Sequence, residues 1–186
     1  VQPVASYIRT QGIACAVINM VLNPVMAWLG NRQMASMPLL GGNSIVVDTT
    51  VTTIVLSLLV ALFITSGVRR DLHAGHVSAT DGFPRAGRLL SHLPRQAWAL
   101  GLLLGLGVAC VLTPLTFGIF YALGFSGLPF AWFALFKAIY TPLLGFVVTR
   151  WVILRQLYGV TVRTSQGKQF ESTQNRHATV KDELER

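Results

Sequence analysis

Asp48 and Lys137 are the acid and the base that lie well inside long apolar runs, and they occupy corresponding positions in two of those runs. An isolated charge at the centre of a bilayer costs about 3 kcal/mol even on insertion scales, so such residues pair or border a wet cavity. Asn19, Asn23, Thr52, Thr113 and Thr141 stand in the same or neighbouring runs. Asn19 and Asn23 are four residues apart and share one helix face. The spacing predicts that Asp48 and Lys137 meet between two helices, with those five residues as a polar cluster around them. Such a pair could fix helix register, or contribute charge to the path of a solute or proton. The alternative is two separate interfacial charges: Asp48 is about one turn into its run, where a carboxylate complements a helix N-terminus. Lys137 can extend outward along its stem.

Other chemistries have less behind them. His73 and His76, near Asp71 and Asp81, form a His-x-x-His pattern in a polar loop. A metal site needs three or four rigidly held ligands, so solvated histidines and no metal are expected. Phosphate-binding glycine loops, zincin helices and nucleophile elbows do not occur in the sequence. Neither an enzymatic activity nor a cofactor is expected. Cys15 and Cys110 fall within apolar runs and read as buried, free thiols.

The runs that must position these residues set the class. The 186 residues are 52% hydrophobic and only 12% charged, outside the range of soluble globular domains. Several runs reach the roughly 20 residues that cross a bilayer as a helix, and they are too long for barrel strands. Backbone amides in lipid must be satisfied within their own segment. An all-α membrane protein follows, with four transmembrane helices near 12–29, 45–65, 97–123 and 129–149 in a domain covering 1–158. A loop over 68–96 and a polar tail over 159–186 are expected on the cytoplasmic side. The first run is too long for a signal-peptide core and is expected to be retained. Within the loop, Leu89, Leu90 and Leu93 alternate with Arg88, His92 and Arg95, the pattern of a short amphipathic helix on the inner leaflet.

The net charge of +8 raises the question of nucleic acid, but the charges lie beside the apolar runs. Arg69, Arg70, Arg85, Arg88 and Arg95 share the loop, and Arg150, Arg155 and Arg163 follow the last run. Both termini are therefore expected in the cytoplasm, with no nucleic-acid partner. Trp132 and Trp151 fit the outer and inner interfaces of the fourth span.

An offset of 90 superposes Val21-Leu22-Asn23-Pro24 on Val111-Leu112-Thr113-Pro114, and an offset of 89 superposes Asp48 and Thr52 on Lys137 and Thr141. These matches predict two tandem helix hairpins, parallel repeats related by an axis along the membrane normal. Gly101 and Gly105 are spaced to let another helix approach closely. That face is the expected contact between two copies of the chain, and the partners expected are the lipid bilayer and a second copy or other membrane subunits.

At Asn23-Pro24-Val-Met-Ala-Trp-Leu29, Ser44-Ile-Val-Val-Asp-Thr-Thr50 and Phe136-Lys-Ala-Ile-Tyr-Thr141, the chain resembles a family of small, uncharacterised four-span bacterial inner-membrane proteins. The likeness covers roughly residues 8–157. It implies location in the bacterial cytoplasmic membrane and brings no activity and no site residue with it. The function expected first is a small permease or channel-like protein for a small polar or ionic solute. The competing expectation is a non-catalytic accessory or scaffold subunit of a larger membrane complex. A lipid-handling enzyme comes third and would need a polar crevice open to the leaflet.

Overall fold

The computed structural model describes residues 2–31, 33–77, 90 and 93–184, with side chains described as far as Val160. Along the chain come α1 (Val4–Asn31), β1 (Ser36–Pro38), α2 (Ile45–His73), α3 (Ala97–Ala122), β2 (Gly127–Pro129) and α4 (Phe130–Leu184). Four helices among the described residues are long and apolar enough to cross a membrane, the fourth over Phe130–Val160.

Local chemistry sets the ends of these helices. Ser44 has extended backbone angles and its hydroxyl accepts from Val47 N, so it caps α2 at the N-terminus. At the other end Gly75 adopts φ +72°, with Gly75 N donating to Leu72 O and His76 N to Asp71 O. This is a Schellman turn, which requires a left-handed residue after the cap. The end of α3 repeats it: Gly124 has φ +74°, Gly124 N donates to Tyr121 O, and Phe125 N donates to Phe120 O.

Three boundaries differ from the sequence expectation. α1 begins at Val4 instead of near residue 12, because Val4 and Tyr7 bury against Val68, Ile153 and Leu157. α2 continues to His73, eight residues past the expected end and into the predicted loop, and Val68 is 2% exposed. α4 runs on to Leu184 as one helix where a separate polar tail over 159–186 was expected. The proposed amphipathic helix near 88–95 lies largely outside the described residues.

β1 and β2 pair antiparallel, with Met37 opposite Leu128, and join the two short connections at one end of the bundle. Gly127 makes the pairing possible, since a Cβ there would lie 2.6 Å from Met37 O. α1 and α3 run toward this ribbon, and α2 and α4 start beside it and run away in parallel. The extensive helix contacts are α1 with α4, α2 with α3, and α2 with α4. Each arm of one hairpin therefore packs on the other hairpin rather than on its own partner, giving a row in the order α1, α4, α2, α3. The α2·α4 seam is its centre. Three apolar layers fill the interior: Met37, Ile45 and Phe133 at the ribbon end, Leu56, Val60, Leu144 and Val148 in the middle, and Tyr7, Val68 and Ile153 at the far end.

Candidate functional site

Between the ribbon-end and middle layers lies a polar stratum built from all four helices. α2 presents Asp48, Thr49, Thr52 and Thr53 along one side, and α4 presents Lys137, Tyr140 and Thr141. Both sets follow the three- and four-residue spacing that puts side chains on one helix face. Because α2 and α4 run in parallel from the ribbon, Asp48 and Lys137 arrive at similar depth. Lys137 Nζ lies 2.7 Å from Asp48 Oδ2. That carboxylate oxygen has no aligned hydrogen-bond donor, so the ammonium charge itself is its partner. Lys137 is 4% exposed and the Asp48 side chain 24%. Nζ also donates to Thr52 Oγ1 at 3.1 Å and lies 5.5 Å from the centre of the Phe133 ring. The lysine is thus held inward, with its charge facing a carboxylate, a hydroxyl and a ring face.

The remaining predicted residues divide between the two lateral seams. On the α1·α4 side, Thr141 Oγ1 is within donating reach of Asn19 O at 3.1 Å and Lys137 O at 2.8 Å. Asn19 Nδ2 donates back to Cys15 O, and Asn23 Nδ2 donates to Asn19 Oδ1 at 3.0 Å. On the α2·α3 side, Thr113 and Thr50 share a hydrogen bond of 2.9 Å between hydroxyls. The ion pair thus contacts Thr52 directly. Asn19, Asn23 and Thr113 lie further out and reach it only through the helices that carry it.

Sequence reasoning missed Thr50, Thr53 and Tyr140. Tyr140 Oη hydrogen-bonds Thr53 Oγ1 across the central seam, and its ring stacks on Phe136 with centroids 5.5 Å apart. The signal was present in the spacing Lys137-Tyr140-Thr141, which repeats that of Thr49-Thr52-Thr53. Thr49, Ser57 and Thr149 carry buried hydroxyl oxygens with no partner among the described residues.

Gly101 and Gly105 face α2. A Cβ at Gly101 would come within 2.8 Å of Leu58 Cα, and one at Gly105 within 3.0 Å of Ile54 Cα. The face expected to join two copies is thus filled inside the chain, and a second copy would have to use another. Cys15 is buried and free, whereas Cys110 is free but exposed, because α3 touches the bundle along one side only. His73 and His76 are both exposed and Asp81 lies outside the described residues; no group of three metal-ligating side chains occurs among the described residues. At the end of the bundle away from the ribbon Arg155, 4% exposed, donates from Nε and one terminal nitrogen to Leu93 O, at 2.9 and 2.7 Å. It ties the segment before α3 onto α4.

No protein-family model matches this chain, and no curated protein or solved structure matches it either, so the resemblance drawn from residues 8–157 gains no support from these comparisons.

Proposed function

We propose that the chain is a multi-pass membrane protein with the ribbon outside and the arginine-rich end in the cytoplasm, and that it acts as a small permease for a polar or ionic solute. Its outer surface supports insertion. On α1, Ile18, Val21 and Met26 are 58–61% exposed, an apolar face that water would not tolerate on a monomer. Trp28 and Trp132 stand near the ribbon end and Trp98 near the other, as interfacial belts require. The observation that carries the permease reading is the ion pair at the central seam. A buried pair is weak support for stability, since apolar residues of equal volume often do as well or better, and an intramembrane charge pair is by default a candidate for a solute or proton route.

The test is flux into proteoliposomes, followed by light scattering for a panel of small polar and ionic solutes. The parental chain should admit at least one solute faster than empty vesicles. Asp48→Asn with Lys137→Met, which removes both charges together and so avoids stranding either, should lower that flux about tenfold, the effect of losing roughly 1.4 kcal/mol of interaction. If no solute enters, or the double variant inserts and transports at the parental rate, the reading fails.

A second reading, an accessory subunit without catalysis or transport, is favoured by the apolar layer of Leu56, Val60, Leu144 and Val148. It lies beneath the polar stratum, across the direction a solute would take. That reading requires a stable partner to copurify from native membrane at fixed stoichiometry. We also read the two hairpins as parallel repeats. That reading rests on the matched runs Val21–Pro24 and Val111–Pro114 and on the correspondence of Asp48 and Thr52 with Lys137 and Thr141.

A further inference from the structure

At the end of the bundle away from the ion pair, a cavity of about 400 Å³ lies between the start of α1 and the end of α2. α1 supplies Tyr7, Thr10 and Gln11, Gln2 precedes it, and Asp71 and His76 come from the end of α2 and its closing turn. The Schellman turn builds one wall, since the bond from His76 N to Asp71 O, 3.0 Å, folds His76 back over Asp71. Gln2 N donates to His76 O at 2.9 Å and Gln2 pairs with Val77, which closes a second wall. Buried Tyr7 donates its hydroxyl to Asp71 Oδ2 at 2.7 Å. That bond orients the carboxylate, and no second hydrogen bond to it occurs among the described residues.

The lining restricts what can bind. Asp71 is the one carboxylate besides Asp48 among the described side chains, and no lysine or arginine is among the described residues that line the cavity. An anion would face the Asp71 carboxylate directly, while Arg70 beside it does not belong to the described lining. A zinc-type ion would lack ligands, because no three His, Cys, Asp or Glu side chains come together among the described residues. The lining side chains all offer oxygen or imidazole nitrogen, which suits a cation that brings its own N–H donors. The volume exceeds that of a few waters, at about 30 Å³ each, and leaves room for the group that carries the charge.

We propose that this cavity binds a primary ammonium group, with Asp71 Oδ1 as its counter-charge and Gln11 and Thr10 as neutral acceptors. The group belongs either to an inner-leaflet lipid headgroup or to a free amine. The proposal does not involve Asp48 or Lys137 and stands or falls separately from transport.

The test is native mass spectrometry of the full chain released from detergent micelles containing equal amounts of phosphatidylethanolamine, phosphatidylcholine and phosphatidylglycerol. Retention of the ethanolamine lipid should exceed that of the other two about tenfold, the scale of one charge-assisted hydrogen bond. Asp71→Asn should remove that preference, and His73→Gln, outside the cavity, should keep it. Millimolar ethanolamine that displaces the lipid assigns the site to free amines, and failure to displace assigns it to the lipid. Equal retention of all three lipids by the parental chain, with no ethanolamine bound, overturns the proposal without recourse to any variant. A folded Asp71→Asn protein that keeps the parental preference overturns it as well.

Discussion

The two lateral seams of the row join helices in the same relative direction, yet they close by different means. Where α3 meets α2, glycine backbone faces helix backbone: Cβ atoms at Gly101 and Gly105 would meet Leu58 Cα and Ile54 Cα. Where α1 meets α4, the glycines face side chains: Gly12 the ring of Phe146, and Gly145 the amide of Asn19 and the sulfur of Cys15. Backbone can yield only by moving a whole helix, whereas a side chain can rotate. The α2·α3 seam should therefore be rigid and intolerant, and the α1·α4 seam adjustable, although both hold the same central ion pair in place.

The largest effect that would test this contrast is expected from Gly101→Ala. The added methyl would sit 2.8 Å from Leu58 Cα and 2.9 Å from Ala61 Cβ, so α3 must retreat. Overpacking of this kind costs about 1–3 kcal/mol, and the best-packed backbone contacts lie at the upper end. Even after the helix-propensity gain of about 1 kcal/mol from glycine to alanine, a net loss of about 2 kcal/mol should appear in reversible unfolding in mixed detergent micelles. Parental stability for Gly101→Ala would remove the distinction between the seams.

A smaller difference should appear in their polar bonds. Thr141 reaches from α4 to Asn19 O on α1, and Thr50 reaches from α2 to Thr113 on α3. Interhelical hydrogen bonds in membranes average about 0.6 kcal/mol, because the separated helices find other partners. Thr50→Val should lose about that much, since Thr50 also reaches Val46 O at 2.8 Å within its own helix and strands only the Thr113 hydroxyl. Thr141→Val should lose no more, because Thr141 has the same fallback in Lys137 O. A loss of several kcal/mol in either would mean that the polar stratum holds the row together, and that close packing does not.

Much of this was legible in the sequence because it depends on local spacing. The four apolar runs follow from composition, and the encounter of Asp48 with Lys137 from their corresponding places in two of those runs. The role of Gly75 and Gly124 in ending α2 and α3 needed the backbone angles. What could not be read was which helix lies beside which. Apolar runs of similar hydropathy carry no address, so the Gly101 and Gly105 face was assigned to a second copy when it belongs to α2. The extension of α1 back to Val4 was hidden for a related reason. Residues 4–11 are too polar to read as a span, and the packing of Val4 and Tyr7 with Val68 and Leu157 is a contact between distant parts of the chain.

Gly12→Ala should have the smallest effect, and its sign separates the two seams most directly. A Cβ at Gly12 would lie 2.6 Å from two atoms of the Phe146 ring, a closer contact than any at Gly101. On distance alone it should be the worse substitution. Phe146, however, is only partly buried, and a rotation about its first side-chain torsion would carry the ring outward without moving either helix. An off-rotamer displacement costs about 0.5–1.5 kcal/mol, and alanine returns about 1 kcal/mol of helix propensity. The two nearly cancel, so unfolding of Gly12→Ala should fall within about 0.5 kcal/mol of the parental protein. If Phe146→Ala in the same background then raises stability above that of Phe146→Ala alone by the full propensity gain, the ring is what Gly12 accommodates. If Gly12→Ala instead costs as much as Gly101→Ala, α1 and α4 are as closely locked as α2 and α3, and side-chain freedom does not set the difference between the seams.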